Sequence, residues 1–432
     1  MQTSLQAIAQ KAAGQKKHRF SDLYRLLNEE TLRDCWRGIR KNAAYGVDLV
    51  SAQEYEEHLE ENIHSLVERL KRKSYRAKLV RRQYIPKDGR KLRPLGIPAV
   101  EDKLLQLAVA RILSSIYEQD FLRCSYGYRP NQGALDAVDK LTVKLQFGRY
   151  NWVVEADIRG FFDNISHEWM ERMLSERIND RALLWLIRKW LKAGVLDTDG
   201  KVMHPATGTP QGGIISPVLA NIYLHYALDL WFQRVVKRHC RGEACLIRYA
   251  DDFVCAFEEE REAERFYRAL GQRLRKFGLE LSEEKTRVIS FSRAPSAGKE
   301  SFDFLGFEFR WGKDRAGKAH LKRRTSRKKL RDSIKRFTAW CKENRHLRQD
   351  ERFKQLNQKL RGYYNYYGVV GNSARLNEFF YQAMGILLKW VNRRSQRGSY
   401  TWTGYNELLK RYAVERPRII GRPRQRLIAS GV

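Results

Sequence analysis

Three aspartates end or interrupt apolar segments of this sequence and could act together in catalysis. Asp157 ends the segment Asn151–Asp157, and Asp251 and Asp252 lie within Leu246–Phe257. Short apolar segments of this kind are typical of buried strands. Where two such strands carry carboxylates to one edge of a sheet, like charges meet, which is unfavourable unless cations lie between them. The spacing therefore predicts a cation site made by these three side chains.

The chemistry that such a site would support is phosphoryl transfer assisted by magnesium. Mg²⁺ binds carboxylate oxygens together with substrate phosphates, and two ions about 3.5–4 Å apart can hold the attacking and leaving oxygens of an in-line displacement. In this interpretation Asp157 and Asp251 bridge two ions, and Asp252 is a weaker or outer ligand.

Two alternatives to this interpretation stay open. Tyr249–Asp252 alone is also compatible with a solvated hairpin turn, and Asp163 is a competing ligand, although its place before the helix predicted at His167 is more typical of a cap.

Helices and short strands must position these acids, and hydrophobic periodicity predicts both. The predicted helices are Ala52–Arg72, Asp102–Tyr117, Gly133–Phe147, His167–Glu176, Arg181–Ala193, Pro217–Val236 and Glu258–Phe277. Besides the strands that carry the aspartates, short strands are predicted around Thr286–Phe291 and Phe302–Phe309. We therefore expect an enzyme-like globular front part in which the acid-bearing strands lie among helices.

The composition limits the class of protein. The 432 residues include 83 Lys and Arg against 50 Asp and Glu, a formal net charge of +33, together with 19 Phe, 21 Tyr and 10 Trp. This aromatic content excludes a disordered basic tail protein, and a folded protein with so much positive charge is expected to bind a polyanion such as nucleic acid. A membrane surface is the weaker alternative, because the basic segment lacks a strongly amphipathic face.

The sequence also indicates a compartment. No stretch of about 18 uncharged apolar residues is present, so we expect no transmembrane helix. The first residues lack the apolar core of a signal peptide. Six cysteines are scattered without a Cys-x-x-Cys pair, which indicates reduced thiols rather than disulfides or a zinc site. These features predict a cytoplasmic protein, in the bacterial cytosol or associated with the nucleoid, without a membrane partner.

Positive charge is concentrated towards the C-terminal end. Residues 311–432 contain 31 basic and 8 acidic residues, and this change in composition predicts a domain boundary at a loop near Trp311–Gly317. Nine basic residues lie between Lys322 and Arg336, and a tyrosine-rich segment follows at Leu356–Gly368. We expect helices with an aromatic seam inside and a cationic face outside, which is typical of proteins that bind phosphate backbones.

Further motifs make a family recognisable. They surround the two acid-bearing segments Asp157–Phe162 and Tyr249–Asp252. The additional motifs are Ile85–Pro98, Ser125–Pro130, Gly208–Pro217, Leu281–Thr286 and Phe304–Phe307. As an ordered set they resemble the group II intron-encoded reverse transcriptases and maturases. The resemblance covers nearly the whole chain.

This resemblance implies an α+β fold with the right-hand architecture of polymerases. Fingers and a palm with an antiparallel sheet would be followed by an all-α thumb, the maturase X domain. Residues 1–80 would form an N-terminal extension and the start of the fingers, 81–310 the fingers and palm, and 318–400 the thumb. Residues 401–432 would be a basic tail, either a short DNA-binding remnant or a flexible end. No H-N-H endonuclease domain is expected, because no paired Cys-x-x-Cys elements follow Cys341.

The resemblance also implies roles for individual residues. Lys87 and Arg93 would hold the triphosphate of the incoming dNTP, with two solvated charges as the simpler alternative. Phe162 would pack against the sugar, and Gln211 would contact the nucleotide or the templating pair, with a core aromatic and a plain turn as the alternatives. Lys285 would protonate the pyrophosphate leaving group, and a surface lysine is almost as compatible with the sequence. The nucleic-acid-binding residues would be Lys322, Arg323, Arg324, Arg327, Lys328, Lys329 and Arg361.

The activity that the resemblance implies is RNA-directed DNA polymerisation. A primer 3′-hydroxyl would attack the α-phosphate of a dNTP on an RNA template, with two Mg²⁺ ions as cofactors. The protein would also bind the RNA of its host group II intron and assist splicing and mobility into target DNA. Two alternatives stay open: a domesticated relative that acts in repair or phage defence, and an RNA-binding splicing factor whose polymerase site is vestigial. The intact set of acids and dNTP contacts speaks against the vestigial alternative, and no oligomeric state is predicted.

Overall fold

The computed structural model describes residues 2–86, 92–293, 300–314, 316–393 and 399–420. The chain forms two compact units that divide between Val288 and Ile289, here named unit 1 and unit 2. Each unit has an apolar core of its own.

Unit 1 contains helices and strands in alternation. Its helices are α1 (Gln2–Gly14), α2 (Glu29–Trp36), α3 (Ala52–Glu57), α4 (Leu59–Lys71), α5 (Val100–Tyr117), α6 (Ala134–Phe147), α7 (His167–Ser175), α8 (Arg181–Leu191), α9 (Ser216–Leu224) and α10 (Glu260–Lys276). Its strands are β1 (Val80–Pro86), β2 (Leu92–Ile97), β3 (Trp152–Asp157), β4 (Val195–Leu196), β5 (Val202–Met203), β6 (Ala244–Tyr249), β7 (Asp252–Phe257) and β8 (Arg287–Ser290), within which the division from unit 2 falls.

The strands of unit 1 form two sheets. The first has the order β2-β1-β4-β5 and contains the antiparallel hairpin β1–β2. The second has the order β6-β7-β3-β8, in which β7 is antiparallel to both β6 and β3. This mixture of helices with antiparallel sheets confirms the expected α+β class.

The core of unit 1 surrounds α5. This helix is buried on nearly all sides, as expected for a helix in the interior of a large domain. Its fully buried side chains include Leu104, Leu105, Ile112, Leu113 and Ile116. Because α5 begins at Val100, directly after β2, the buried helix anchors the base of the β1–β2 hairpin.

The helix predicted over Ala52–Arg72 is two helices, α3 and α4, with a break at His58. The backbone of His58 leaves the helical region, at φ −120° and ψ 37°. At the break the Asn62 side-chain amide donates to the carbonyl oxygen of Tyr55 at 3.1 Å. A continuous helix would use that carbonyl for the N–H of residue 59, so this side-chain hydrogen bond stabilises the break.

The helix predicted over Pro217–Val236 begins as α9 but does not continue as a regular α-helix. It passes into π-helical turns at His225–Asp229 and Phe232–Val236. Such turns are rare and occur frequently next to functional sites. The first of them ends at Asp229, which is completely buried.

Unit 2 joins a small sheet to a helical bundle. Its strands are β9 (Ser301–Phe304), β10 (Phe307–Lys313) and β11 (Ala319–Thr325), and its helices are α11 (Arg327–Glu343), α12 (Gln349–Tyr367), α13 (Ser373–Asn392) and α14 (Trp402–Arg411). The sheet is antiparallel with the order β11-β10-β9. The helices pack around a core that contains Phe337, Phe353, Tyr364, Phe379 and Tyr405.

Three details of unit 2 differ from the prediction. The strand predicted over Phe302–Phe309 is two strands, because Leu305 and Gly306 form a turn with positive φ values of 50° and 82°. Residue 318, where the helical thumb was expected to begin, lies in the β10–β11 hairpin. Part of the expected basic tail is the helix α14, which buries Tyr405 and is capped by the Thr401 side chain.

The tail beyond residue 420, including most of its Pro-punctuated basic stretch, lies outside the described residues. Among the helices in the described ranges, none is long and apolar enough to cross a membrane.

Candidate active site

The pairing of β3 with β7 places two of the predicted acids opposite each other. Asp157 and Asp252 are direct partners in this antiparallel ladder. Residues in such positions have side chains on the same face of the sheet, and like charges there destabilise the pair. Asp251 lies beside them in the two-residue turn that joins β6 to β7. The structure thus brings all three acids to one edge of the sheet.

A lysine supplies positive charge at this edge. The Lys285 ammonium donates to the Asp157 carboxylate, with 2.6 Å between Nζ and Oδ2. The backbone assists, because the N–H of Ser282 donates to the carbonyl oxygen of Asp157 at 2.8 Å and so holds the following turn against the end of β3. The hydrogen bond to Asp157 raises the pKa of Lys285. Lys285 is therefore a member of the acid cluster rather than an isolated surface lysine.

The donor set at this edge fits a divalent cation. In the described ranges, no three His, Cys, Asp or Glu side chains are already grouped around one ion position, and the Asp157 carboxylate is engaged by Lys285. Carboxylate oxygens that face one another and are half-buried or exposed are nevertheless the ligands that Mg²⁺ prefers. Asp157 and Asp252 face each other in the ladder, and Lys285 is long and 60% exposed, free to move aside. The residues present therefore fit the expected magnesium site.

The turn that carries Asp251 has an unusual backbone. Ala250 has a positive φ of 55°, which is uncommon for residues other than glycine, and it is buried. Such a conformation persists only where the surrounding structure determines it. Its carbonyl oxygen accepts a hydrogen bond of 3.0 Å from the Arg248 guanidinium.

Arg248 is completely buried and all five of its N–H groups are used. Two donate to the Asp229 carboxylate at 2.6 and 2.8 Å. The others donate to Asn221 Oδ1 at 3.0 Å, to Ser125 Oγ at 2.7 Å and to the Ala250 carbonyl oxygen. A buried guanidinium requires this degree of pairing. This set of hydrogen bonds, named here the Arg248 network, holds the acid-bearing turn Ala250–Asp251 in place.

The segment that contains Ser125 runs alongside β6 and is hydrogen-bonded to it. Arg248 donates its backbone N–H to Cys124 at 2.7 Å and accepts at its carbonyl from the N–H of Tyr126 at 2.9 Å. The next residue, Gly127, approaches the turn so closely that an added Cβ would lie 2.4 Å from the Ala250 nitrogen. Only glycine fits this contact. The Ser125–Pro130 motif is therefore a direct neighbour of the catalytic candidates.

A glycine-rich loop connects the other predicted contacts. Gln211 accepts at its carbonyl from the backbone N–H of Gly96 on β2. Gly212 follows with φ 117°, and a Cβ there would lie 2.6 Å from the Gly96 carbonyl oxygen. Thr209 of the same loop donates its N–H to the carbonyl oxygen of Phe162 at 2.8 Å. The loop thus ties the strand of Arg93 to the turn of Phe162.

The two adjacent phenylalanines divide between core and surface. Phe161 is buried in the core of unit 1, whereas Phe162 is only partly buried, with 5.3 Å between the ring centroids. Arg93 is exposed on β2, opposite Ile85. Lys87 lies outside the described residues. The predicted contacts of Phe162, Arg93 and Gln211 with a nucleotide stay predictions.

The cap predicted for Asp163 is wrong. The side chain that caps α7 is that of Ser166, which accepts from the N–H of Trp169. Asp163 lies instead in the short turn after Gly160, and its backbone packs against Gly208, where a Cβ would lie 2.7 Å from the Asp163 carbonyl oxygen. The cap lies closer to the helix because Ser166 immediately precedes its first turn.

The basic residues of unit 2 lie on two different elements. Lys322, Arg323 and Arg324 belong to β11, whereas helices were expected for the whole basic run. The helix begins only at Arg327, because the Ser326 side chain caps it. On α11 the exposed basic residues are Arg327, Lys328, Arg331, Lys335, Arg336 and Lys342.

On the opposite side α11 buries Leu330, Phe337 and Trp340. A cationic face opposite an apolar seam is thus present on this helix, as expected. Two of the predicted contacts have acidic partners: Arg324 donates to Glu308 at 2.9 Å, and Arg361 pairs with Glu415 at 3.2 Å.

The sequence reasoning missed the Arg248 network. The signal was a single arginine inside an otherwise apolar strand, since a buried charge requires a partner. Its partners could not be identified in the same way, because Asn221 and Asp229 come from one helical segment and Ser125 from another part of the chain.

The acid pair at the sheet edge, the docked glycine-rich loop and the basic second unit define a nucleic-acid polymerase. Residues 85–309 match the family model described as reverse transcriptase (RNA-dependent DNA polymerase). Residues 319–408 match the model described as the maturase-specific domain of group II introns. The protein is therefore an RNA-directed DNA polymerase.

Comparison with known proteins identifies the family more narrowly. The chain is 32% identical to the group II intron-encoded protein LtrA of Lactococcus lactis, over 86% of this chain and 74% of LtrA. It is 35% identical to the protein YkfC of Escherichia coli, over 48% of this chain and 62% of YkfC. A putative COX1/OXI3 intron 1 protein of Saccharomyces cerevisiae is 26% identical over 72% of this chain and 45% of its own length. The chain belongs to the family of group II intron-encoded reverse transcriptases and maturases.

A methyl group at Gly127 will impair polymerisation. In Gly127→Ala the new Cβ collides with the backbone of Ala250, so the acid-bearing turn must shift. A misplacement of about 1 Å can reduce a rate about 10²-fold, and we expect a fall of that size in kcat for primer extension. Gly362→Ala is the control, because nothing lies within 4 Å of its Cβ in α12 and alanine stabilises a helix interior by about 1 kcal/mol. Wild-type kcat in Gly127→Ala would contradict the close contact.

Proposed function

We propose that Asp157, Asp251 and Asp252 are the residues that carry nucleotidyl transfer in this reverse transcriptase. The observation that supports this assignment is the β3–β7 register, which sets Asp157 opposite Asp252, with Asp251 in the adjoining turn. In the reaction the primer 3′-oxygen attacks the α-phosphorus of a dNTP. A new P–O bond forms while the bond to the pyrophosphate oxygen breaks.

Two Mg²⁺ ions held by these carboxylates would stabilise the charge that develops on the attacking and leaving oxygens. The task of the chain is to hold the carboxylates in place. Asp157 is fixed by its strand, and Asp251 is fixed through the strained Ala250 and the Arg248 network below it. Such preorganisation, rather than covalent chemistry, supplies most of the catalysis in phosphoryl transfer.

The proposed contacts to the incoming nucleotide come from three connected elements. Arg93 on β2, together with Lys87, would neutralise the triphosphate. Gln211 lies in the loop that is hydrogen-bonded to β2, and Phe162 lies in the turn that is hydrogen-bonded to the same loop. Backbone hydrogen bonds join β2, the loop and the turn to one another. A shift of one of these elements would therefore move the contacts to the triphosphate and to the sugar at the same time.

Lys285 is proposed to act on the leaving group. Its hydrogen bond to Asp157 holds the ammonium at the acid cluster and raises its pKa. The side chain is therefore protonated at neutral pH and can give a proton to the pyrophosphate oxygen as the bond to the α-phosphorus breaks.

Unit 2 is proposed to hold nucleic acid through phosphates. The exposed arginines and lysines of α11 form a continuous cationic face, and Lys322 and Arg323 on β11 precede it. We assign to this surface both the template–primer duplex and the RNA of the host intron. The match of residues 319–408 to a maturase-specific domain supports the second assignment. Insertion into target DNA would follow the same chemistry, with the 3′-end of a nascent DNA strand as the primer.

Primer extension tests the proposal directly. The full chain is incubated with an RNA template, an annealed DNA primer, dNTPs and Mg²⁺, and the product is resolved by length. We expect template-dependent extension that requires Mg²⁺, and RNA binding that weakens steeply as salt rises, because phosphate contacts release counterions. RNA binding without any extension would refute the catalytic assignment and leave a binding protein on a polymerase fold.

A further inference from the structure

One aromatic residue beside the acid cluster has a backbone conformation that its side chain disfavours. Tyr128 has a positive φ of 58°, which is rare for a bulky residue. Tyr128 is nevertheless 51% exposed. Packing in the core therefore does not explain the presence of a tyrosine at a position with positive φ. Residues held in such conformations cluster at functional sites.

The neighbours of Tyr128 fix its backbone from both sides. On one side Gly127 lies against Ala250, and its carbonyl oxygen accepts from the Asn221 amide at 2.7 Å. On the other side the Arg129 guanidinium donates to Glu118 at 2.9 Å and to the carbonyl oxygens of two residues of the preceding loop. Tyr128 is thus presented on a rigid support.

The ring lies close to the proposed chemistry. Burial raises the pKa of the Tyr128 hydroxyl, and the carboxylates of Asp251 and Asp252 add to this effect, while the Arg93 guanidinium opposes it. Charges of the acid cluster and of β2 therefore both lie within electrostatic range of this phenol. Because Gly127 packs directly against Ala250, a duplex end held over the acid cluster lies within reach of Tyr128.

We propose that Tyr128 packs against the terminal base pair of the template–primer duplex and so positions the primer 3′-end over Asp251. This inference rests on the proposed function. An aromatic ring can pack against any base, which suits a polymerase that copies every sequence. A ring on a rigid support loses little freedom on contact, so its contribution appears as affinity for the duplex.

Four variants test this proposal in the full chain. Tyr128→Gly removes the ring and relieves the backbone, Tyr128→Ala removes the ring alone, and Tyr128→Phe keeps the ring. Lys73→Gly is the matched control, since Lys73 has a φ of 56° after the end of α4 and takes no part in the proposed site. Each variant is measured by thermal unfolding and by primer extension at varied primer–template concentration.

We expect the thermal midpoint to rise in Tyr128→Gly and in Lys73→Gly, because glycine adopts positive φ without strain. The KM for primer–template should rise about 5- to 150-fold in Tyr128→Gly and Tyr128→Ala, the range measured for loss of one base–aromatic contact. Tyr128→Phe and Lys73→Gly should keep the wild-type KM. A purely structural tyrosine would instead give a lower midpoint in Tyr128→Gly with unchanged KM, which would overturn the proposal.

Other outcomes are equally decisive. Tyr128→Phe removes only the hydroxyl. A KM for primer–template in this variant as high as in Tyr128→Ala would show that the hydroxyl makes the contact, which would overturn the proposed contact of the ring. Wild-type kinetics in Tyr128→Gly and Tyr128→Ala would overturn the proposal while the polymerase assignment stands. Absence of extension by both the wild type and Lys73→Gly would instead show that the proposed function itself has failed.

Discussion

Asp251→Ala will reduce the rate of primer extension at least about 10³-fold. A bound metal ion lowers the free energy of a charged transition state by several kcal/mol. Each 1.36 kcal/mol of activation free energy changes the rate by a factor of about ten. If Asp251 holds an ion as proposed, removing its carboxylate costs most of that stabilisation. The measurement is single-turnover extension of an annealed DNA primer on an RNA template at saturating dNTP and Mg²⁺.

The same substitution should leave the fold intact. Asp251 is half-buried in a turn, next to the like charges of Asp252 and Asp157, so its removal relieves repulsion that offsets the loss of its attraction to Lys285 and Arg248. We expect the thermal midpoint and RNA affinity of Asp251→Ala to equal or exceed those of the wild type. Asp199→Ala is the control, because Asp199 is an exposed turn aspartate of the same unit, and it should polymerise normally. Wild-type extension by Asp251→Ala would remove this residue from the site.

Asp229→Ala will destabilise unit 1 by about 3–5 kcal/mol. Asp229 and Arg248 are both completely inaccessible to solvent, and removal of one partner from a buried ion pair leaves an uncompensated charge in the interior. That cost is a large fraction of the total stability of a domain, which is about 5–15 kcal/mol. Urea denaturation followed by tryptophan fluorescence measures the difference.

A second variant separates stability from catalysis. Replacing the pair together, in Arg248→Met with Asp229→Leu, removes both charges, and such apolar replacements are often neutral or stabilising. The double variant should regain most of the lost stability, yet it should extend primers poorly because the Ala250 carbonyl oxygen no longer has its donor. Arg33→Ala breaks an exposed pair with Glu60 and should cost at most about 1 kcal/mol. A similar small cost for Asp229→Ala would contradict the importance of the buried pair.

The acid cluster was predictable from the sequence for a simple reason. Each apolar segment has the length of a strand, and an aspartate at its end can be buried only at a sheet edge with a cation. This argument needs no knowledge of what lies between Asp157 and Asp251. Helices α5, α6, α7, α8 and α10 were predictable as well, since their apolar period depends on local sequence alone.

Other features depend on contacts between distant segments and were not predictable. The break at His58 requires a hydrogen bond from the Asn62 side chain, and the π-helical turn at Asp229 is stabilised by a partner on β6. Lys322–Arg324 of β11 were wrongly assigned to a helix, because consecutive charged residues show neither the period of 2 of a strand nor the period of 3.6 of a helix. Tyr128 offers no signal at all, since its residue type argues against the backbone conformation that it adopts.

The Arg248 network also has a consequence for folding. Its members come from three segments, and Ser125 is 123 residues from Arg248 in sequence. Contacts between such distant residues form late, because the chain must first close the long loops between them. A partly folded chain can therefore contain its strands and helices and still lack a rigid catalytic turn. We therefore expect the rigidity of the acid-bearing turn, and with it the polymerase activity proposed for the acid cluster, to appear late in folding.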